Sequence, residues 1–413
     1  MRQGRVSAPQ RLNTDPMNVL VWASTFGADL WSFTRFLGQK PDVEVKVVLD
    51  DPALFEQQGV AELFPLGDSV ELVRRRFWHH ALGVSRFGVP GFDADVTVMD
   101  NTTPFFRTSP KALMLWHGFG WKGPDRKEDL WWLHRSLRRT WGDASRPNGD
   151  FRWQCFGPSD EAHRTAVSGI APYNTRLIGA ASHDDLRIPL DRERAQPYYP
   201  FDVASQKTVL IAPTWHYGEV FAHWGTDADL MTRLVRRCTD RGANVILRLH
   251  DSFRFSKKYR AFLENLANHH RGVMLKFKDH APDNYLDLQV ADVLVTNFSS
   301  IANLFYATGR PTAHVYPVAD ADEAFMTRRL TLTGVSEKEV ENARFIWKRP
   351  PTDHGGMLAR SFPELIRQVE RGLDEPDCCR EAAQKFVGEH MMDADGHACE
   401  RAWAVLRELV DGE

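Results

Sequence analysis

The chain has 413 residues, 43% of them hydrophobic and 26% charged, a formal net charge of −3 and a mean hydropathy of −0.41. That is the composition of a soluble globular protein too long for one ordinary core, and it calls for no nucleic-acid partner. No run approaches the roughly 18 to 20 apolar residues that span a bilayer, and the polar stretch 1–16 lacks a signal-peptide core, so a cytoplasmic location is expected.

The first elements in chain order are short apolar, β-rich runs at Val19–Trp22, Val45–Leu49, Val96–Met99, Ala112–Trp116 and Trp153–Phe156, separated by helix-length intervals. Such runs read as buried parallel strands of an α/β sheet. A stretch rich in Pro, Tyr and charge, Pro189–Lys207, reads as a linker. A second series follows at Thr208–Ala212, Asn244–Leu249, Val273–Phe277, Asp292–Thr296 and Thr312–Tyr316. Between its strands Thr226–Thr239 reads as an amphipathic helix, with Thr226 and Asp229 resembling a capping signal. Phe362–Val410 reads as two or three helices. The expected organisation is therefore a tail (1–16, disordered), a first α/β domain (17–194), a second α/β domain (195–378) and terminal helices (379–413).

Two such sheets in tandem direct their strand carboxyl ends toward one cleft, where doubly wound sheets bind ligands. The chemistry-bearing residues fall just after strands. His117 follows Trp116 and precedes Gly118, Gly120, Lys122 and Gly123. A neutral imidazole there could accept a proton from an attacking hydroxyl and Lys122 could offset phosphate charge, although a histidine satisfied by the backbone of a glycine-rich turn is the plainer reading. Thr214 in Pro213-Thr214-Trp215-His216 can donate to a phosphate or sugar; Trp215 could stack on a base or merely close the core. In Arg248-Leu249-His250-Asp251, Asp251 or a backbone carbonyl could fix the tautomer of His250 and leave its other nitrogen for a phosphoryl oxygen. Thr296-Asn297-Phe298-Ser299-Ser300 runs from a strand into a helix start, where two hydroxyls and free N–H groups can hold an anion; a plain cap needs only one serine.

The cysteines, Cys155, Cys238, Cys378, Cys379 and Cys399, contain no CxxC pair and read as thiols. Asp50-Asp51 and Asp393/Asp395 complete no recognisable metal site, so no metal and no cofactor are expected.

In order and spacing, Trp116-His117-Gly118, Pro213-Thr214-Trp215, Arg248-Leu249-His250 and Thr296–Ser300 resemble the CDP-glycerol glycerophosphotransferases, the family of teichoic acid polymerases and primases. Two weaker matches join them: Ile178-Gly179 with Asp184-Asp185-Leu186, and Asp395-Gly396-His397-Ala398-Cys399-Glu400-Arg401. The resemblance spans roughly residues 95–405 and rests on motifs in series, none specific alone. It implies a GT-B fold, with 17–194 the acceptor-side domain, 195–378 the nucleotide-donor-binding domain and the helices of 379–413 packing back across both. It also implies attack by an acceptor hydroxyl on the β-phosphorus of a CDP-alcohol with CMP leaving, His117 as base, and His250, Ser299 and Ser300 holding the diphosphate. Gly118, Lys122, Thr214, Trp215, Arg248 and Thr296 complete the expected substrate contacts. The partners it implies are CDP-glycerol or a related cytidine nucleotide and a lipid-linked or glycan acceptor.

The sequence departs from the family at Asp251 (usually Pro), Asn297-Phe298 (usually Asp-Tyr) and His216 (often Arg), which leaves ribitol or another polyol phosphate open as the transferred group. A CMP-sugar glycosyltransferase and a silent nucleotide-binding subunit of an envelope assembly are the alternatives. Asp129–Trp141, with Trp131, Trp132 and Trp141 among Arg135, Arg138 and Arg139, is compatible with an interfacial helix at the inner membrane face, or with aromatics packed inward under solvated arginines.

Overall fold

The structure, a computed structural model, describes residues 16–23, 26–56, 59–75, 89, 91–100, 102–116, 121, 127–214, 221, 224–282, 284–316, 325–331, 334–340 and 349–412. The first sheet comprises β1 (Met17–Trp22), β2 (Val43–Leu49), β3 (Val70–Arg74), β4 (Val96–Met99), β5 (Lys111–Met114), β6 (Phe151–Cys155) and β7 (Thr175–Leu177). All are parallel, in the spatial order 3-2-1-4-5-6-7. The second sheet comprises β8 (Thr208–Ile211), β9 (Asn244–Leu249), β10 (Val273–Phe277), β11 (Val293–Thr296), β12 (Thr312–Val315) and, after the antiparallel pair β13 (Phe325–Thr331) and β14 (Gly334–Val340), β15 (Met357–Ala359). Its order is 10-9-8-11-12-15, again parallel. Strand order therefore reverses at β1/β4 and at β8/β11, and such reversals open a crevice beyond the strands' carboxyl ends.

The expected strands form because their runs are apolar on both faces: β4, β8, β9 and β11 are buried along their whole length, as strands covered by helices on two sides must be. Expectation missed β3, β7, β15 and the 325–340 hairpin. β3 is an edge strand whose Val-Glu-Leu-Val-Arg sequence is only half buried, and β7 and β15 are three residues long. The helix expected over 226–239 runs Asp227–Asp240; Thr226 is its extended N-cap, but its hydroxyl makes no capping bond.

The C-terminal helices are Phe362–Asp374, Arg380–His390 and Ala398–Asp411. The last returns to the first sheet, where Ala402, Leu406 and Leu409 join the core around Val19, Val45 and Val96. The two weakest motifs meet here. The Asp184 carboxylate accepts the N–H groups of Ala398 (3.0 Å) and Cys399 (2.7 Å), satisfying donors that a helix start otherwise leaves open. Arg401 donates to the Ile178 carbonyl at 2.8 Å and pairs with Asp395 at 2.7 Å. Gly179 has φ +82°, and a Cβ there would lie 3.1 Å from the Arg401 guanidinium, so position and neighbour both require glycine. Farther along the helix, Glu408 accepts from Arg152 (2.9 Å) and Arg176 (2.7 Å).

Between the sheets lies one continuous apolar layer. Leu30 and Phe33 from the helix Ala28–Leu37, Ala181 and Leu186, Leu286 and Leu288, and Ile301 and Phe305 belong to a single cluster with strand residues of both sheets. Polar ties cross it, Ser32 Oγ to Tyr285 OH at 3.1 Å and His183 Nε2 to the Asn303 carbonyl at 2.8 Å, while Arg35 and Asp185, 2.6 Å apart, join two helices of the first sheet beneath it.

Asp184→Ala should remove the external cap of the helix Ala398–Asp411 and cost about 1–2 kcal/mol of unfolding free energy, read from urea denaturation. Burial also pushes the imidazoles of His183 and His314 below their ordinary value of 6.5. A folded-state pKa below the unfolded one means the native state binds fewer protons, so this stability is present above the ordinary value and lost as pH falls. Melting temperature should hold near neutral pH and drop below about pH 6.5, and His314→Phe should flatten part of that drop.

Candidate active site

The carboxyl edge of the first sheet carries Asp100 after β4 and Trp116 after β5. Asp100 is buried and accepts the Thr102 N–H at 3.1 Å. Trp116 stacks on Trp153 with centroids 5.0 Å apart, and the buried Arg164 guanidinium lies 5.4 Å and 5.5 Å from the two rings with Asp160 at 3.4 Å. A cation removed from water needs such company, and the pair anchors the tryptophan from behind. His117, Gly118 and Lys122 lie outside the described residues, as does Trp215.

Trp121, beyond that segment, is seated on the second-sheet side. Its Nε1–H donates to the Asp353 carbonyl at 2.6 Å, and its ring packs 5.2 Å from Phe298 and 5.3 Å from His314. Phe298 is wholly buried with φ +60°, a left-handed conformation costing a non-glycine residue roughly 1–2 kcal/mol, so the stack with His314 at 4.8 Å must hold it there.

On the second sheet, β9 delivers His250. Its Nδ1 stands 2.7 Å from Asp251 Oδ2 and 2.9 Å from the Asp251 backbone nitrogen. The two contacts demand opposite protonation of Nδ1; the shorter, charge-assisted carboxylate contact selects a proton on Nδ1 and makes Nε2 the acceptor nitrogen. Burial lowers the His250 pKa despite Asp251. Burial alone would raise Asp251, yet hydrogen bonds from His250 and from Arg254 Nε (2.8 Å) hold its carboxyl far below the usual range.

Thr214 and the serines sit at the β8/β11 reversal. The Thr214 N–H donates to Asn297 Oδ1 at 2.6 Å, tying the end of β8 to the turn after β11. Ser299 and Ser300 are half-buried; Ser300 is the N-cap of the helix Ile301–Tyr306, and its side chain makes no capping bond. That helix has six residues, so hydroxyls and turn N–H groups, rather than a long helix's field, are what this end offers an anion.

Two residues expected among the substrate contacts are bonded into the framework. Arg248 is buried, donating to Asp287 at 3.0 Å and to the carbonyls of Ala281 (2.9 Å) and Pro282 (3.2 Å). Asp287 also receives Lys276 at 2.6 Å and Tyr199 at 2.7 Å. Arg248 thus fixes the chain after β10. Thr296 is buried too, its hydroxyl donating to the Ala212 carbonyl at 2.7 Å. Both side chains serve the strand-end framework on which His250 and the serines sit.

Sequence reading passed over Lys278, which follows β10 as His250 follows β9. The signal was present, a cation at a strand end in the same series. Among the described residues no three His, Cys, Asp or Glu gather where they could hold a metal ion.

Residues 192–336 match the family model described as CDP-Glycerol:Poly(glycerophosphate) glycerophosphotransferase. A comparison with curated proteins finds no match. Among solved structures, the wall teichoic acid polymerase TagF, in a His-to-Ala variant, superimposes with a TM-score of 0.64 at 14% identity, covering 97% of this chain and 91% of that one. A second TagF variant, soaked with CDPG, gives 0.65 at 13%, with 97% and 90% covered. The UDP complex of MnaA from S. aureus gives 0.53 at 11%, with 96% and 97% covered. At such identities these likenesses speak for the fold, the GT-B arrangement of two parallel α/β sheets. The stretch 192–336, which matches the CDP-glycerol:poly(glycerophosphate) glycerophosphotransferase model, holds Thr214, His250, Ser299 and Ser300.

Proposed function

We propose that the protein transfers glycerol phosphate, or a related polyol phosphate, from a CDP-alcohol to a hydroxyl of a lipid-linked or glycan acceptor in cell-envelope polymer synthesis. The observation that carries this reading is the family match over residues 192–336, which encloses the strand ends of the second sheet. The acceptor oxygen forms the new bond to the β-phosphorus, the bridging bond to CMP breaks, and the hydroxyl proton passes to His117. Thr214, Ser299 and Ser300 offer neutral donors to the diphosphate, and Gly118, Lys122 and Trp215 are assigned to the same cleft by resemblance. Positioning and charge stabilisation supply most of the acceleration in such transfers.

His250 has a distinct part. With Nδ1–H directed at Asp251 and a depressed pKa, its Nε2 is unprotonated at rest. A diphosphate beside it favours the imidazolium, whose Nε2–H then donates to a phosphoryl oxygen, so donor binding takes up a proton. Calorimetric titration with CDP-glycerol in buffers of different ionisation enthalpy should detect this uptake, and His250→Ala should abolish it while weakening affinity and rate. His117→Ala should leave donor affinity nearly unchanged and lower single-turnover rate by roughly 10²- to 10⁴-fold, the usual worth of a general base. A fully active His117→Ala enzyme with a lowered melting temperature would assign that histidine to structure instead.

The reading also places the enzyme against the inner face of the membrane, where a lipid-linked acceptor would be met. No helix of the described residues is long and apolar enough to cross a membrane. The helix Trp131–Thr140 buries Leu133 and Leu137 but leaves Trp131 61% and Trp132 39% exposed, beside exposed Arg135, Arg138 and Arg139. Phe105 (51% exposed) extends the patch, with the Arg139 guanidinium 4.1 Å from its ring. Exposed indoles among arginines suit the headgroup layer, where each basic residue contributes about 1 kcal/mol on an anionic surface. Flotation with phosphatidylglycerol vesicles should exceed that with phosphatidylcholine vesicles, and Trp131→Ala/Trp132→Ala or Arg138→Glu/Arg139→Glu should reduce it; binding indifferent to both pairs removes this patch from the reading.

A further inference from the structure

We infer that Lys278 is a ligand of the donor's diphosphate, acting beside His250; this rests on the functional reading above. Strands β9 and β10 pair in parallel with Leu249 opposite Phe277, so the residues that follow them, His250 and Lys278, leave the sheet at the same level. The Lys278 N–H donates to the Leu249 carbonyl at 3.0 Å, which fixes that level. Lys278 therefore stands next to His250 on the edge where a doubly wound sheet meets its ligand.

The surroundings suit an anion-binding cation. The side chain is half-buried, and burial draws its pKa down while the carboxylates of Asp251 and Asp100 oppose that effect and Arg254 and Arg248 reinforce it. Asp251 belongs to the second sheet and Asp100 to the end of β4 in the first, so Lys278 lies where the two edges converge. Arg248 is committed to Asp287 and two carbonyls, and Arg254 Nε to Asp251. Lys278 is the strand-end cation whose attracting carboxylates come from both sides of the cleft. Phosphate oxygens brought to this edge would compete with those carboxylates for the ammonium. A compact ammonium is suited to such an exchange because it binds phosphate as a point charge and needs no fixed planar geometry.

The test is calorimetric titration of wild-type, Lys278→Gln, Lys278→Arg and Asp100→Asn proteins with CDP-glycerol, CMP and cytidine, alongside thermal melting. If Lys278 meets the diphosphate, Lys278→Gln weakens CDP-glycerol by about ten- to a hundredfold, the worth of one charge-assisted hydrogen bond. It weakens CMP less and cytidine hardly at all, and Lys278→Arg retains most of the affinity. Asp100→Asn removes a competing carboxylate and leaves donor affinity equal or tighter. Undiminished CDP-glycerol affinity in Lys278→Gln, or a lowered melting temperature shared by Lys278→Gln and Asp100→Asn with affinity per folded molecule intact, makes Lys278 a tether between the sheets and overturns the assignment. Wild-type protein that binds no cytidine nucleotide overturns this inference together with the functional reading, which separates the two failures.

Discussion

The apolar layer between the sheets governs everything the cleft can do. Residues of the helices Ala28–Leu37, Ala181–Leu186, Tyr285–Val290 and Ile301–Tyr306 belong to one cluster reaching strands on both sides, so the two halves share a core instead of touching across a wet seam. At about 25 cal/mol per Å² of apolar surface, separating such faces is expensive. The carboxyl edges that carry Trp116 and His250 are therefore presented to each other by packing. The polar crossings, Ser32 to Tyr285 and His183 to Asn303, add direction to a contact that is otherwise non-directional.

Within that frame, buried carboxylates determine which cations face a ligand. Asp287 gathers Arg248, Lys276 and Tyr199; Asp160 holds Arg164 behind two tryptophans; Asp251 serves His250 and Arg254. Two departures from the family pattern make physical sense here. An aspartate after His250 gives the imidazole a local partner that a proline could not provide. Asn297 keeps an oxygen for the Thr214 N–H, as Asp would, while removing one negative charge from the turn that leads to the serines.

The legible parts of the sequence were those where one physical demand dominated. A strand covered on both faces must be apolar throughout, so β4, β8, β9 and β11 announced themselves, and the strand-end rule then pointed to His250 and the serine turn. Edge strand β3 and the three-residue β7 and β15 carry no such demand and were missed. The framework bonds of Arg248 and Thr296 were not legible because a motif records that a residue is needed without saying what in the fold uses it. Alternation in β9 turns Arg248 toward Asp287, a partner 39 residues away that no local pattern reveals. Lys278 was overlooked for the converse reason: it belongs to no motif, and only the pairing of β9 with β10 sets it beside His250.

The return of the helix Ala398–Asp411 to the first sheet bears on how the protein is made. Asp184 and Ala398 are 214 residues apart, and Arg401 meets Ile178 across 223. While a ribosome is still extending the chain, the first sheet can form its strands, but the surface that Ala402, Leu406 and Leu409 will cover stays bare until that helix emerges. At roughly 5–20 residues per second, that is an interval on the order of ten to forty seconds. The amino-terminal half is thus completed by a helix synthesised long after it, and during translation it presents an apolar face of the kind that holding chaperones grip.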